Sequence, residues 1–100
     1  MIERTWKCLA GNETAHQYIE YLTTDVFPKI RNIPGNLGAK VFKRKLNEQI
    51  EFLVVTTWVS IQSIKAFAGD DIDVAVVPEQ AQAYLSAYDD VVKHYERIDI

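Results

Sequence analysis

The sequence predicts an α+β domain in two layers, with helices covering one side of a four-stranded antiparallel sheet. Three observations predict it. Segments with strand alternation and segments with helical spacing follow one another as strand, helix, strand, strand, helix, strand. The two middle strands are joined by a link so short that only a hairpin fits. The third strand is apolar on both of its faces, which a sheet tolerates only where both faces are covered.

Residues 2 to 10 alternate in the strand period. Ile2, Arg4, Trp6, Cys8 and Ala10 share one face, and Glu3, Thr5, Lys7 and Leu9 share the other. Gly11-Asn12 breaks the strand, and Asn12 is suited to cap a helix beginning near Glu13. Ala15, Tyr18, Ile19, Leu22, Val26, Phe27 and Ile30 recur at spacings of three and four, one face of a helix that Pro28 should kink or end. Ile33-Pro34-Gly35-Asn36 is a turn. Strands over Leu37–Leu46 and Ile50–Ser60 follow, rich in β-branched and aromatic residues. In the second of them Phe52, Val54, Thr56 and Trp58 lie on one face, and Leu53, Val55, Thr57 and Val59 on the other. Ser60 caps a short helix through Ile61, Ile64 and Phe67, ended by Gly69. Asp70 to Val77 has no clear period. Pro78 opens a helix with an Ala81, Tyr84, Leu85, Tyr88 stripe, and Val91–Ile98 forms the last strand.

Composition bounds the function. The chain has 100 residues, 48% hydrophobic and 25% charged, with 11 Lys+Arg against 14 Asp+Glu and hence a net charge of −3. Residues 1–100 make one domain. The acidic balance argues against nucleic-acid partners and anionic membranes, which need clustered cations. The apolar-leaning run Phe52–Ile64 is too short for the roughly 20 residues of a spanning helix. Glu3, Arg4 and Lys7 interrupt what a signal peptide needs, so a cytoplasmic location is expected. Cys8 is the single cysteine, which excludes an intrachain disulfide and a Cys-rich zinc site. The acidic residues Asp70, Asp71, Asp73 and Glu79 lack the pattern of a calcium loop. Lys40, Lys43, Arg44 and Lys45 fall on both faces of the second strand, as on a solvated edge.

The element order is that of the ferredoxin-like βαββαβ fold. Its uncovered sheet face is apolar here, and a second copy packed sheet against sheet is the economical cover, giving a homodimer. The residues Ile33-Pro-Gly-Asn-Leu-Gly, Glu51-Phe-Leu, Thr57-Trp-Val-Ser, Phe67-Ala-Gly-Asp-Asp and His94-Tyr95 complete a likeness over roughly residues 2 to 98. The chain resembles the antibiotic biosynthesis monooxygenase-like family of the dimeric α/β barrel superfamily. The resemblance implies a ligand cavity between sheet and helices within each subunit. It also implies oxygenation of aromatic or quinol-like molecules with no metal or other cofactor. Trp58 stands where the family's haem-degrading branch has a pocket tryptophan. That branch's pocket asparagine is replaced by Arg4, and its haem-ligating histidine by the stretch Phe67-Ala68-Gly69, so the likeness does not extend to haem degradation.

On this reading Arg4, Trp6, Trp58 and Thr56 line the cavity and bind a small aromatic ligand, the guanidinium pairing with an oxyanion and the indoles stacking on the ring. His94 alternates with Val92 and Glu96 and is the candidate base for a phenolic proton. His16 falls on the polar side of its helix, and the two histidines have no metal-ligand spacing. The alternative function is a non-catalytic, ligand-binding or stress-responsive dimeric barrel. There Arg4, His94 and the tryptophans are structural.

Overall fold

The computed structural model describes every residue from Met1 to Ile100. The elements are β1 (Ile2–Gly11), α1 (Ala15–Tyr21), a π-helical turn (Leu22–Val26), α2 (Phe27–Arg31), β2 (Asn36–Leu46), β3 (Gln49–Trp58), α3 (Ile61–Ala68), α4 (Glu79–Gln82), β4 (Ala87–Tyr88) and β5 (Lys93–Glu96). Every strand pair is antiparallel. β2, β3 and β1 are neighbours in that order, and β4 and β5 both lie along the free edge of β1. This is the ferredoxin-like arrangement, and no helix is long and apolar enough to cross a membrane.

The last strand differs from the expected Val91–Ile98. Cys8 opposes Tyr88 and Thr5 opposes Lys93, so three steps along β1 are matched by five on the outer strand. The surplus bulges out because its backbone groups are engaged elsewhere. Asp89 O accepts from Trp6 Nε1 at 2.6 Å, Asp90 O from Ala75 N at 2.9 Å, and Val92 N donates to Asp73 O at 2.9 Å. The Asp70–Val77 stretch, aperiodic in sequence, is thus tied to this bulge, with a bridge between Val74 and Val91.

The first helix also starts later than expected. Asn12, Glu13 and Thr14 form a turn, and Ala15 is the first helical residue. Asn12 does not cap it. Thr14 occupies the cap position, and its hydroxyl donates to Tyr84 O at 2.8 Å instead of accepting from the helix. Pro28 neither ends nor breaks the helix, since the chain widens into a π turn just before it and resumes as α2 with Pro28 in the first turn. A wider turn accommodates a residue that lacks an N–H and crowds the preceding carbonyls. The hydroxyls of Thr23 and Thr24 bond back to Ile19 O and Glu20 O, both at 2.8 Å, which favours a bend at the same place.

The β2–β3 hairpin turns through Asn47-Glu48, with Asn47 at φ 52, a left-handed conformation asparagine tolerates. At its other end Leu37 is an extra residue, since Asn36 pairs with Trp58 and Gly38 with Thr57. Gly35, at φ 93, leads into that strand, and a Cβ there would lie 2.4 Å from Ser63 Cβ. Only glycine lets this turn close on α3. Ser60 caps α3 as its sequence predicts, accepting from Ser63 N at 3.2 Å in a reciprocal capping box.

The side chains under the helices form two clusters. One gathers Cys8, Ala10, Tyr18, Tyr21, Leu22 and Phe52, and the other Ile30, Trp58 and Ile64. Val26 and Phe27 touch both.

Candidate ligand cavity between sheet and helices

Where the two clusters meet, packing is incomplete and leaves a cavity of about 80 Å³. Sixteen residues line it, 13 of them hydrophobic. β1 contributes Arg4 and Trp6, β3 contributes Val54 and Thr56, and the first helical run contributes Tyr18, Tyr21, Leu22, Val26, Phe27 and Ile30. Phe67 of α3, the stretch Val76–Pro78, Ala81 and Val92 close it. A water needs about 10–15 Å³ of such space, so the cavity spans roughly five to eight water positions, the extent of one substituted aromatic ring.

Arg4 is its single charged residue and is only 5% exposed. Strand alternation turns it under the helices, where its charge must find acceptors. Nη1 donates to Ile72 O and to His94 Nε2, the latter at 2.9 Å, and Nη2 donates to Val74 O at 3.3 Å. The guanidinium carbon lies 5.7 Å from the Phe67 ring centre. Burial lowers the Arg4 pKa below its ordinary value, opposed by the charge of Asp73. An arginine pKa starts so high that the group stays charged.

His94 stands directly opposite Arg4 in the β1–β5 pairing. An arginine N–H is always a donor, so Nε2 is the acceptor and the imidazole proton sits on Nδ1, 3.4 Å from Asp73 Oδ1. Burial, then the charge of Arg4, lower the His94 pKa below 6.5, against the pull of Asp73. His94 is thus neutral at pH 7 with its lone pair occupied.

This corrects two sequence expectations. His94 does not line the cavity, because it stands behind Arg4 and its basic nitrogen is engaged there. Trp58 does not line it either. The indole is 0% exposed, stacked on Phe67 with ring centres 5.9 Å apart, and its Nε1 donates to Thr56 Oγ1 at 2.8 Å. It acts through those two lining residues: holding the Thr56 oxygen as acceptor leaves the Thr56 O–H to donate. Arg4, Trp6 and Thr56 do line the cavity. The Trp6 indole N–H is turned away, to Asp89 O, and its ring lies 6.0 Å from Tyr88.

Phe67, Asp73 and the carbonyls of Ile72 and Val74 were absent from the sequence-derived site. Arg4 in an apolar stripe was the one clue that acceptors must converge there. No group of three or more His, Cys, Asp or Glu side chains is placed to hold a metal ion, and neither histidine faces the cavity.

No family model matches the chain, and no curated protein is similar to it. Solved structures are. A putative antibiotic biosynthesis monooxygenase from Bacillus cereus matches with a TM-score of 0.67 and 16% identity, over 100% of this chain and 95% of that one. The ActVA-Orf6 monooxygenase of Streptomyces coelicolor, solved in complex with the ligand nanaomycin D, matches with a TM-score of 0.63 and 21% identity. That match covers 99% of this chain and 89% of the other. The chain therefore has the fold of these monooxygenases along its whole length.

Proposed function

We propose that the chain is a cofactor-independent monooxygenase of a small, electron-rich aromatic anion. One observation carries the reading: an apolar cavity under the helices holds a buried, fixed guanidinium as its single charge. The fold shared with two monooxygenases supports it.

In the chemistry we propose, a hydroquinone-type ring enters already as an anion, because no lining side chain offers a free base and Arg4 favours a negatively charged ligand. The apolar walls exclude water, and the ring supplies the electrons that reduce O₂. One oxygen atom is incorporated at a ring C–H next to a ring oxygen of a hydroquinone, and the other leaves as water. Counting the proton released on ionisation, which is taken back from solvent, hydroquinone plus O₂ balances to hydroxyquinone plus water.

The residues exposed on the opposite sheet face support a homodimer. Phe42 and Tyr95, each 54% exposed, flank Leu53 and Val55 there. Sedimentation should give twice the chain mass, and Phe42→Glu should halve it.

A second reading is favoured by the occupied lone pair of His94: the protein binds the same anion without turning it over. Oxygen uptake with a panel of single-ring hydroquinones separates the two. Uptake that requires Arg4 supports the oxygenase. Quenching of Trp6 fluorescence by the same compounds with no uptake on any of them leaves the binder.

A further inference from the structure

Arg4 carries five N–H donors in one plane. Three are spent, both of those on Nη1 and one on Nη2, against Ile72 O, His94 Nε2 and Val74 O. Nε–H and the second Nη2–H have no partner within the protein. No enclosed side-chain nitrogen or oxygen in the chain lacks a hydrogen-bond partner, so Nε, which makes none, borders open space. The open space beside Arg4 is the cavity.

Nη1 is engaged by Ile72 O and His94 Nε2, and Nη2 reaches Val74 O in the turn that follows α3. The edge that remains is the side of the fork, Nε–H beside Nη2–H, two nearly parallel donors. Two parallel donors match two oxygens on one carbon. A phenolate offers a single oxygen and leaves one donor unmet. A phosphate brings charge that one cation in an apolar cavity does not neutralise. Trp6, Phe27 and Phe67 supply aromatic walls, and the cavity spans a single ring.

We propose that the ligand is a single-ring aromatic carboxylate, its two oxygens taken side-on by Arg4 Nε–H and Nη2–H. His94 is then a positioning residue, which with the Ile72 and Val74 carbonyls fixes the rotation of the guanidinium so that this edge faces the ring site. The proposal rests on the anion-binding reading above and narrows it: the carboxylate is the handle, and the oxidisable hydroxyl sits elsewhere on the ring.

Calorimetry on the intact protein with benzoate, benzamide and pentafluorophenolate tests it. Benzamide keeps the shape without the charge, and pentafluorophenolate is an anion with one oxygen. Benzoate should bind at least tenfold tighter than either. Arg4→Lys, which replaces the fork by a point charge, should weaken benzoate more than tenfold and pentafluorophenolate far less. Because Arg4 is buried and its variant can misfold, the wild-type series decides alone. Equal or tighter binding of benzamide or pentafluorophenolate, or no binding of benzoate, overturns the proposal.

Oxygen uptake separates it from the oxygenase reading. Uptake on hydroquinone as fast as on 2,5-dihydroxybenzoate overturns the carboxylate and leaves the oxygenase. Tight benzoate binding without uptake on either compound keeps the carboxylate site and removes the oxygenase.

Discussion

Trp58 and Trp6 lie on the same covered face of neighbouring strands and have different fates. Trp58, at the end of β3, lies under α3 with Phe67 on its ring and Thr56 on its N–H, and no water reaches it. Trp6, in the middle of β1, lies beside the bulge between β4 and β5, half-buried, with its N–H drawn outward by Asp89 O. Their difference locates the cavity. Packing is complete where a capped helix lies over the sheet and fails next to the strand whose hydrogen bonds are diverted to the Asp70–Val77 strap. Arg4, two residues before Trp6, occupies that failure, and a cation there is sustained by the strap's own carbonyls.

The largest expected effect breaks the pair apart. Trp58→Ala should cost about 3–5 kcal/mol of unfolding free energy, as truncation of a fully buried aromatic does. Trp6→Ala should cost about half of that or less, since part of its ring is already in water. Urea unfolding of both variants checks this, and equal losses would mean that the two sites are equally packed.

A smaller effect tests the link between the sealed tryptophan and the cavity. Thr56→Val keeps the shape and removes the acceptor of Trp58 Nε1, which stays buried without a partner. The loss should be about 1–3 kcal/mol, read by the same unfolding measurement. A stability unchanged from wild type would show that the indole N–H finds another acceptor.

The smallest effect lies behind Arg4. The His94 pKa is lowered on folding, so the unfolded chain takes up a proton first as the pH falls. The contribution of His94 is therefore complete above its unfolded pKa near 6.5 and declines as the pH falls through the lower folded value. Stability measured from pH 7.5 to 5 should show this decline in wild type. His94→Gln, which can still accept from Arg4 but does not titrate, should flatten it. An unaltered slope in the variant would assign the decline to other groups.

Much of this architecture was legible in the chain. Alternation put Arg4, Trp6 and Cys8 on one face of β1, and Phe52, Val54, Thr56 and Trp58 on one face of β3, and the structure pairs those faces residue against residue. Ser60 and Gly69 marked the ends of α3 because capping is a local hydrogen-bonding need. The start of α1 was misplaced because Asn12 was read as its cap from local sequence alone, whereas the chain turns on to Thr14, whose hydroxyl is held by a distant carbonyl, Tyr84 O. The split of the last strand and the strap were illegible, since both depend on where Asp73, Asp89 and Asp90 carbonyls find partners.

The candidate site divides in the same way. By itself the sequence determined that a cation and several aromatic rings lie beneath the helices, because side-chain direction follows from strand period alone. Only the tertiary structure decided that Trp58 is sealed off, that His94 spends its lone pair on Arg4, and that Arg4 Nε makes no hydrogen bond within the protein. Each of those depends on a partner far along the chain: Ile72 and Val74 are 68 and 70 residues from Arg4, and His94 is 90. Periodicity records which way a side chain points. A hydrogen bond is settled by whichever acceptor the folded chain brings within reach.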